Sequence, residues 1–430
     1  MMPTPCAAQN MMRTPCNEPP SRVARAALVA LGLVLGVLGG ELLARAVGYE
    51  FRPHMRNRVY FAEPHPLFGW HNRPGLAGTY GGDEFVTFVT INADGQRGPS
   101  HPMARIPGKR RIAVLGDSQT WGDGVGDDET YVARLDGGDV EMLSFATPGW
   151  GTDQQLLVLD EEAARWSPDV VVLALFIGND LNDNMSRGTF QYPKPWFTVG
   201  ADDTLELHGV PVPYSRPLHA AIEVYRSIMR RSALLNAIAE LSRKDWPTMG
   251  VASDGDAART PYLHPMYADP LPGSERARYA MTERLLLEFV RRTRAIGAEP
   301  VVLILPELWQ VEIFADPARR EALRRLGADF QRPQRVFTSL LRQQGVQVID
   351  ALPALGRATR ASAAAGGPHT YYPEWRHLNA YGHAVVADLL GARLGVKHHR
   401  APAASAGAAG AGLRPRPSAP PDRSAANSPS

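Results

Sequence analysis

Apolar positions follow three different regimes along the chain. From Ala26 to Gly40 no polar side chain interrupts the run. From Arg110 onward, short continuous apolar stretches alternate with stretches of helical periodicity. That alternation is the pattern of a parallel sheet whose strands are buried on both faces and joined by crossover helices. It predicts strands at residues 111–115, 140–145, 170–176, 300–305 and 346–349, and helices at 154–164, 275–296, 334–344 and 380–394. Ser274 is placed to cap the second of these helices and Gly297 to stop it. Right-handed crossovers then give a three-layer αβα domain over residues 109–396.

Two regions depart from this rhythm. Residues 50–108 are rich in Pro, Gly, His and aromatics, with one β-like stretch at 85–91, and read as a small β-rich preface to the main domain. His54, His65, His71 and His101 are scattered through it without metal-ligand spacing. Residues 182–274 separate the third strand from the next helix by far more than an ordinary connection. This insertion carries an amphipathic helical piece at 218–242, and it could serve as a lid, a substrate wall or a packing subdomain.

The apolar run near the N-terminus raises a membrane question. Fifteen residues in a helix reach only ~22 Å, short of the ~30 Å hydrocarbon core. Counting on through Glu41 and Arg45 to Gly48 gives about 34 Å, with those two side chains near an interface. Residues 26–48 therefore read as a signal anchor, preceded by residues 1–25 as a leader tail that includes Arg13, Arg22 and Arg25. A cleaved signal peptide is the competing reading, because Ala44-Arg45-Ala46 has the A-x-A pattern, and the protein would then be secreted. Either way an export segment favours a main domain outside the cytoplasm, in a periplasm or at the cell surface.

Composition narrows the field. With 46 basic and 44 acidic side chains the formal charge is +2, which leaves no basic excess for phosphate neutralisation and excludes a nucleic-acid binder of that kind. Cys6 and Cys16 both precede the apolar run, so the folded portion has neither disulfides nor thiolate metal sites. Residues 401–430 are rich in Ala, Pro and Ser and should be disordered, since Leu413 is the only large aliphatic side chain there.

In an open parallel sheet, ligands bind outside the carboxyl ends of the strands. After the first strand comes Gly116-Asp117-Ser118-Gln119-Thr120-Trp121-Gly122, a tight strand-to-helix turn in which a Ser hydroxyl is exposed and its N–H lacks an intrahelical partner. Such a Ser suits a nucleophile; the plainer alternative is that Asp117 or Ser118 only caps the helix. The next two strand ends offer Pro148-Gly149-Trp150-Gly151 and Gly178-Asn179-Asp180. A Gly N–H and an Asn amide, together with the Ser118 N–H, could form an oxyanion hole. Asp180-Leu181-Asn182-Asp183-Asn184 begins like a calcium loop, but Met185 and Gln191 stand where Gly and Glu are needed.

A Ser nucleophile needs a base. Near the end of the domain Glu374 stands three residues before His377, a separation that lets a carboxylate fold back onto the imidazole Nδ1–H. A surface Glu and His preceding a helix would give the same string. His383 falls within the following helix and reads as packing or capping. Trp121, Trp150, Tyr192, Trp196 and Phe197 are candidates either for a sugar or acyl pocket or for the core.

These four blocks together resemble the SGNH (GDSL) hydrolase superfamily, over about residues 110–394. The resemblance implies a flavodoxin-like sheet, an acyl-ester hydrolase or acyltransferase, and no metal or organic cofactor. By it, Ser118 corresponds to the nucleophile and His377 to the general base. Ser118, Gly149 and Asn179 correspond to the oxyanion donors, with Gly151 as a fallback for Gly149. Glu374 takes the place of the family's usual Asp. The expected substrate is a small-molecule or carbohydrate ester. O-acyl transfer to an envelope polysaccharide is the second reading, and a non-catalytic carbohydrate-binding protein of the same fold is the third.

Overall fold

The computed structural model describes residues 21–47, 61–81, 84–189, 192–241 and 265–397. The Ala/Pro/Ser-rich tail and most of the leader lie outside them. Helix α1 (Arg22–Ala46) opens the described chain, with Ser21 accepting from the Ala24 N–H at its N-cap. Two antiparallel hairpins follow: β1 (Ala62–His65) with β2 (Gly69–Asn72), and β3 (Ala77–Gly81) with β4 (Val86–Thr90). They are not a body apart, because Phe68 and Trp70 belong to the same core as the main sheet.

The main body runs β5 (Arg110–Gly116), α2 (Ser118–Trp121), β6 (Val140–Ala146), α3 (Thr152–Glu161), β7 (Val170–Phe176) and α4 (Asp180–Asp183). The insertion then contributes the hairpins β8 (Gly188–Thr189) with β9 (Tyr192–Pro193) and β10 (Trp196–Val199) with β11 (Leu205–His208). Helices α5 (Arg216–Arg231) and α6 (Ala233–Leu241) follow. The chain resumes with α7 (Gly273–Ala295), β12 (Glu299–Leu305), α8 (Leu308–Ala315), α9 (Pro317–Arg325), α10 (Arg332–Gln343), β13 (Gln347–Asp350), α11 (Leu352–Ala364) and α12 (Ala380–Leu394). Helix α7 begins one residue before Ser274, with Pro272 at the N-cap position. Its expected stop holds: Gly297 adopts φ +78°, the left-handed region that ends helices.

The five long strands form one parallel sheet in the order β13-β12-β7-β5-β6. Counted within the sheet this is 2-1-3-4-5, the flavodoxin-like order, with its switch point between β5 and β7. Helices α3, α7 and α10 pack on one another along one side, and α8, α11 and α12 on the other, which makes three layers. Strand β7 reads Val-Val-Val-Leu-Ala-Leu-Phe and is buried at every position, as a central strand covered on both faces must be. The register pairs Gly116 with Ala146 and Leu115 with Leu173. The residues that leave β5, β6 and β7 therefore emerge side by side at one edge.

The opposite edge is tied down by Arg111. Its guanidinium, fully buried, meets the Glu141 carboxylate at 3.0 Å and donates to the carbonyls of Pro102, Met103, Ala104 and Trp166. Replacing it would strand a buried carboxylate and four carbonyls. Arg111→Met should cost about 3–5 kcal/mol in urea unfolding of the detergent-solubilised chain. A loss below about 1 kcal/mol would mean that the pair behaves like an exposed one.

Candidate active site

The turn after β5 is shaped by what glycine permits. A Cβ on Gly116 would lie 2.0 Å from the Thr120 Oγ1, which is itself held by the Tyr131 hydroxyl at 2.8 Å. Asp117 caps α2 by accepting from the Gln119 N–H at 2.9 Å. Ser118 is thereby left at the first helical position, where its own N–H has no intrahelical acceptor. Capping falls to Asp117, so the Ser118 hydroxyl is available for other work. Gly122 closes the helix at φ +85°.

The Ser118 Oγ lies 2.8 Å from His377 Nε2. At the other ring nitrogen, Nδ1 is 2.7 Å from the Trp375 carbonyl. A carbonyl only accepts, so Nδ1 carries the proton and Nε2 of the neutral ring is left to accept the Ser118 O–H. That is the tautomer a general base requires.

Glu374 does not supply this contact, which corrects the expectation from its spacing. Its side chain is exposed, and the local chain turns it outward. Arg376 adopts φ +57° and its N–H donates to the Tyr372 carbonyl at 2.9 Å, closing a turn around residues 373–375. Glu84, from the preface, accepts the N–H groups of Glu374 at 3.1 Å and Trp375 at 2.6 Å. The Trp375 carbonyl is thus aimed at the imidazole, and the Trp375 ring stacks on it at 5.0 Å between centroids.

Two residues overlooked in the sequence complete this arrangement. Gln119 accepts from the Leu378 N–H at 3.0 Å and donates to the Arg376 carbonyl at 3.3 Å, gripping the chain on both sides of His377. Asp123 is 1% exposed, and its carboxylate sits 3.8 Å from His377 Nε2. A carboxylate charge at that distance favours the imidazolium over the neutral ring. The available signal was Gly122-Asp123-Gly124, five residues beyond the nucleophile, where both glycines take positive φ. His383 is excluded as a base: burial first, then nearby Arg97 and Arg134, hold its pKa down to about 3, and its Nδ1 accepts the Tyr131 N–H.

The oxyanion candidates come from the neighbouring strand ends. Asn179 follows β7, and its Nδ2 donates to Asp117 Oδ2 at 3.1 Å. An amide nitrogen has two hydrogens, so the capping carboxylate orients the group and leaves a second donor. Asp180 is buried beside this pair; burial, followed by the Asp117 charge, raises its pKa well above the usual carboxylate range. The same residues form α4, a helical turn rather than an ion-binding loop.

Gly149 follows β6 at φ +80°, and the carbonyl before it, Pro148 O, accepts from Trp70 Nε1 at 3.0 Å. This peptide is trans, so the Gly149 N–H points away from Trp70. Gly151 is spent elsewhere, since its N–H donates to Gln154 Oε1 at the start of α3. Trp150 returns the clamp by donating from Nε1 to the Trp70 carbonyl at 3.0 Å. Trp121, Trp150 and Phe197 are buried core residues, while Tyr192 and Trp196 are half-buried. The preface also braces the nucleophile turn. Arg97 donates to the carbonyls of Trp121 at 2.7 Å and Gly122 at 2.5 Å, and pairs with Asp127 at 2.8 Å.

The sheet order, with Ser118 against His377 and Asn179 beside Asp117 at its carboxyl edge, fits an α/β fold of the SGNH type. No protein-family model matches the chain, and no curated protein matches it. Among solved structures, it is similar to an alpha/beta hydrolase enzyme from the metagenome of Lake Arreo, Spain, at 14% identity and a TM-score of 0.33, over 66% of this chain and 95% of that one. It is also similar to a psychrotrophic esterase from Pseudoalteromonas sp. at 11% identity and TM-score 0.31, over 67% and 97% of the two chains. An acetyl xylan esterase from Geobacillus stearothermophilus is similar at 13% identity and TM-score 0.32, over 68% and 97%.

Three substitutions separate the roles of these groups. Glu374→Gln should leave the turnover of an ester within about twofold, as for a surface change remote from the reacting atoms. Asp123→Asn should lower kcat roughly 10- to 100-fold, since it removes charge stabilisation from the imidazolium. The reverse ranking would return Glu374 to the site. Trp70→Phe keeps an aromatic ring but removes the N–H that holds the Pro148 carbonyl, and should reduce kcat about tenfold with an unchanged circular dichroism spectrum. An unaltered kcat would show that the Gly149 N–H is not aimed by this bond.

Proposed function

We propose that the chain is a serine esterase of the SGNH type, acting on a short-chain or O-acetyl ester of a small molecule or carbohydrate through an acyl-serine intermediate. The observation that carries this reading is the 2.8 Å contact between Ser118 Oγ and His377 Nε2, with Nδ1 held on a carbonyl. A hydroxyl so placed is activated as it attacks.

In the reaction, Ser118 Oγ bonds to the ester carbonyl carbon while His377 Nε2 takes its proton. The carbonyl oxygen becomes an oxyanion facing the N–H groups of Ser118 and Gly149 and the Asn179 amide. Collapse breaks the bond to the alcohol oxygen, which leaves with the proton from His377. Water then attacks the acyl-serine by the same steps and restores Ser118. If a sugar hydroxyl replaces water, the outcome is O-acyl transfer.

Helix α1 is long and apolar enough to cross a membrane, which supports an anchored protein, and we place its catalytic body outside the cytoplasm as part of the same proposal. Its large side chains from Leu28 to Leu43 are exposed around the helix, as lipid contact requires.

The full chain in detergent should hydrolyse p-nitrophenyl acetate, and Ser118→Ala should abolish the activity. Equal turnover by the two would remove Ser118 from the mechanism. Asn179→Ala should lower the rate by about 10² to 10³, as loss of one oxyanion donor does. An unchanged rate would show that the Asn179 amide serves only to hold the Asp117 carboxylate.

A further inference from the structure

Among the described residues, one pair of helices in the insertion carries an exposed apolar face. Residues 192–208 join the main body: Lys194 is buried in an ion pair with Asp153 at 2.7 Å, and Phe197 is part of the core. Val212 then donates to the Pro66 carbonyl at 2.6 Å, a tie to the preface. Beyond it, α5 and α6 carry exposed Val224, Tyr225 and Ile228, then Leu235 and Ile238, with Val224 60% and Ile238 50% accessible. Their spacing of three and four residues places each set along one helical stripe.

What these helices do touch is α1. The Glu41 carboxylate accepts from the N–H groups of Ala233 and Leu234, both at 3.0 Å, and from the Ser232 hydroxyl at 2.8 Å. It thereby satisfies orphan donors at the start of α6, a cap supplied from another helix. Arg45, one turn on, binds Glu41 at 2.7 Å and donates to the Arg231 carbonyl at 2.8 Å, an orphan acceptor at the end of α5. Small residues let the helices close: Ala44 packs with Ala233 and Ala237, and a Cβ on Gly40 would already stand 3.1 Å from Leu234. Gly40 is also the last residue of the uninterrupted apolar run. The elbow between α5 and α6 is therefore fastened at the level where α1 stops being wholly apolar.

We propose that α5 and α6 lie in the interface of the bilayer that α1 crosses, with Val224, Tyr225, Ile228, Leu235 and Ile238 seated among the lipid headgroups and upper acyl chains. The partner is an anionic phospholipid surface. Helix α5 holds four arginines against one glutamate, a composition that anionic headgroups attract, and its C-terminal end is tied to the candidate anchor helix through the Arg231 carbonyl. This rests on the anchored reading of α1 and extends it. Anchor, elbow and interfacial helices would fix the height of the catalytic body above the bilayer and favour esters displayed at that surface.

The test uses the full chain with Cys6→Ser and Cys16→Ser, in nanodiscs of phosphatidylglycerol and phosphatidylcholine. Nitroxide labels are placed singly by Val224→Cys, Ile228→Cys and Ile238→Cys. Leu35→Cys reports α1, and Ala363→Cys, on exposed α11, reports water. Relaxation by oxygen relative to a nickel chelate should be several-fold higher at the three helix positions than at residue 363. Ratios equal to that of residue 363, or protection from both relaxers as under a second protein chain, would overturn the proposal. The label at residue 35 judges the anchor separately: a water-like ratio there rejects the span whatever α5 and α6 do.

Discussion

One hydrogen bond sets the chemistry of this protein, the donation from His377 Nδ1 to the Trp375 carbonyl. It decides which ring nitrogen is basic, and so decides that the nitrogen facing Ser118 accepts rather than donates. A carbonyl has only a partial charge, so it orients the ring well but stabilises imidazolium less than a carboxylate would. The buried Asp123 stands near the other nitrogen and supplies the missing negative charge. Orientation and charge compensation, joined in one residue in a Ser-His-Asp triad, are here divided between two.

That bond exists only because distant segments hold the loop. Glu84 captures two amides of the turn, Gln119 grips the chain around the ring, and Arg376 takes a left-handed conformation that side chains seldom adopt. The preface contributes in the same manner to the other strand ends. Trp70 sets the peptide before Gly149, Arg97 gathers the carbonyls beyond Ser118, and Asn72 donates to the Ala146 carbonyl at 2.9 Å. The hairpins before the sheet thus act as a brace for its carboxyl edge, and the order Ser118, Gly149, Asn179 follows from strands in register at a switch point.

Much of this was legible in the sequence where burial dictates pattern. A strand covered on both faces must be apolar throughout, so 170–176 was read to the residue. Ser118 could be found because it follows a strand whose end the pattern marks, and His377 because it stands just before the closing helix that the pattern also marks. Glu374 misled for a physical reason: spacing of three implies proximity only if the loop runs straight, and the turn at 373–376 reverses it. The partners that force the reversal, Glu84 above all, lie 290 residues away in sequence. Asp123 escaped because its approach to His377 depends on two glycines at positive φ, a conformation that no periodicity reports. Helices α8, α9 and α11 were missed; α8 is short and mostly apolar, and it packs on both of the others.

The central claim is that one serine hydroxyl is made nucleophilic by one imidazole. Treating the full chain with an alkyl fluorophosphonate and mapping its peptides by mass spectrometry tests this most directly. The account predicts a single adduct on Ser118, formed by the native chain and lost in His377→Ala. An unmodified Ser118, or labelling that persists undiminished without His377, would contradict it.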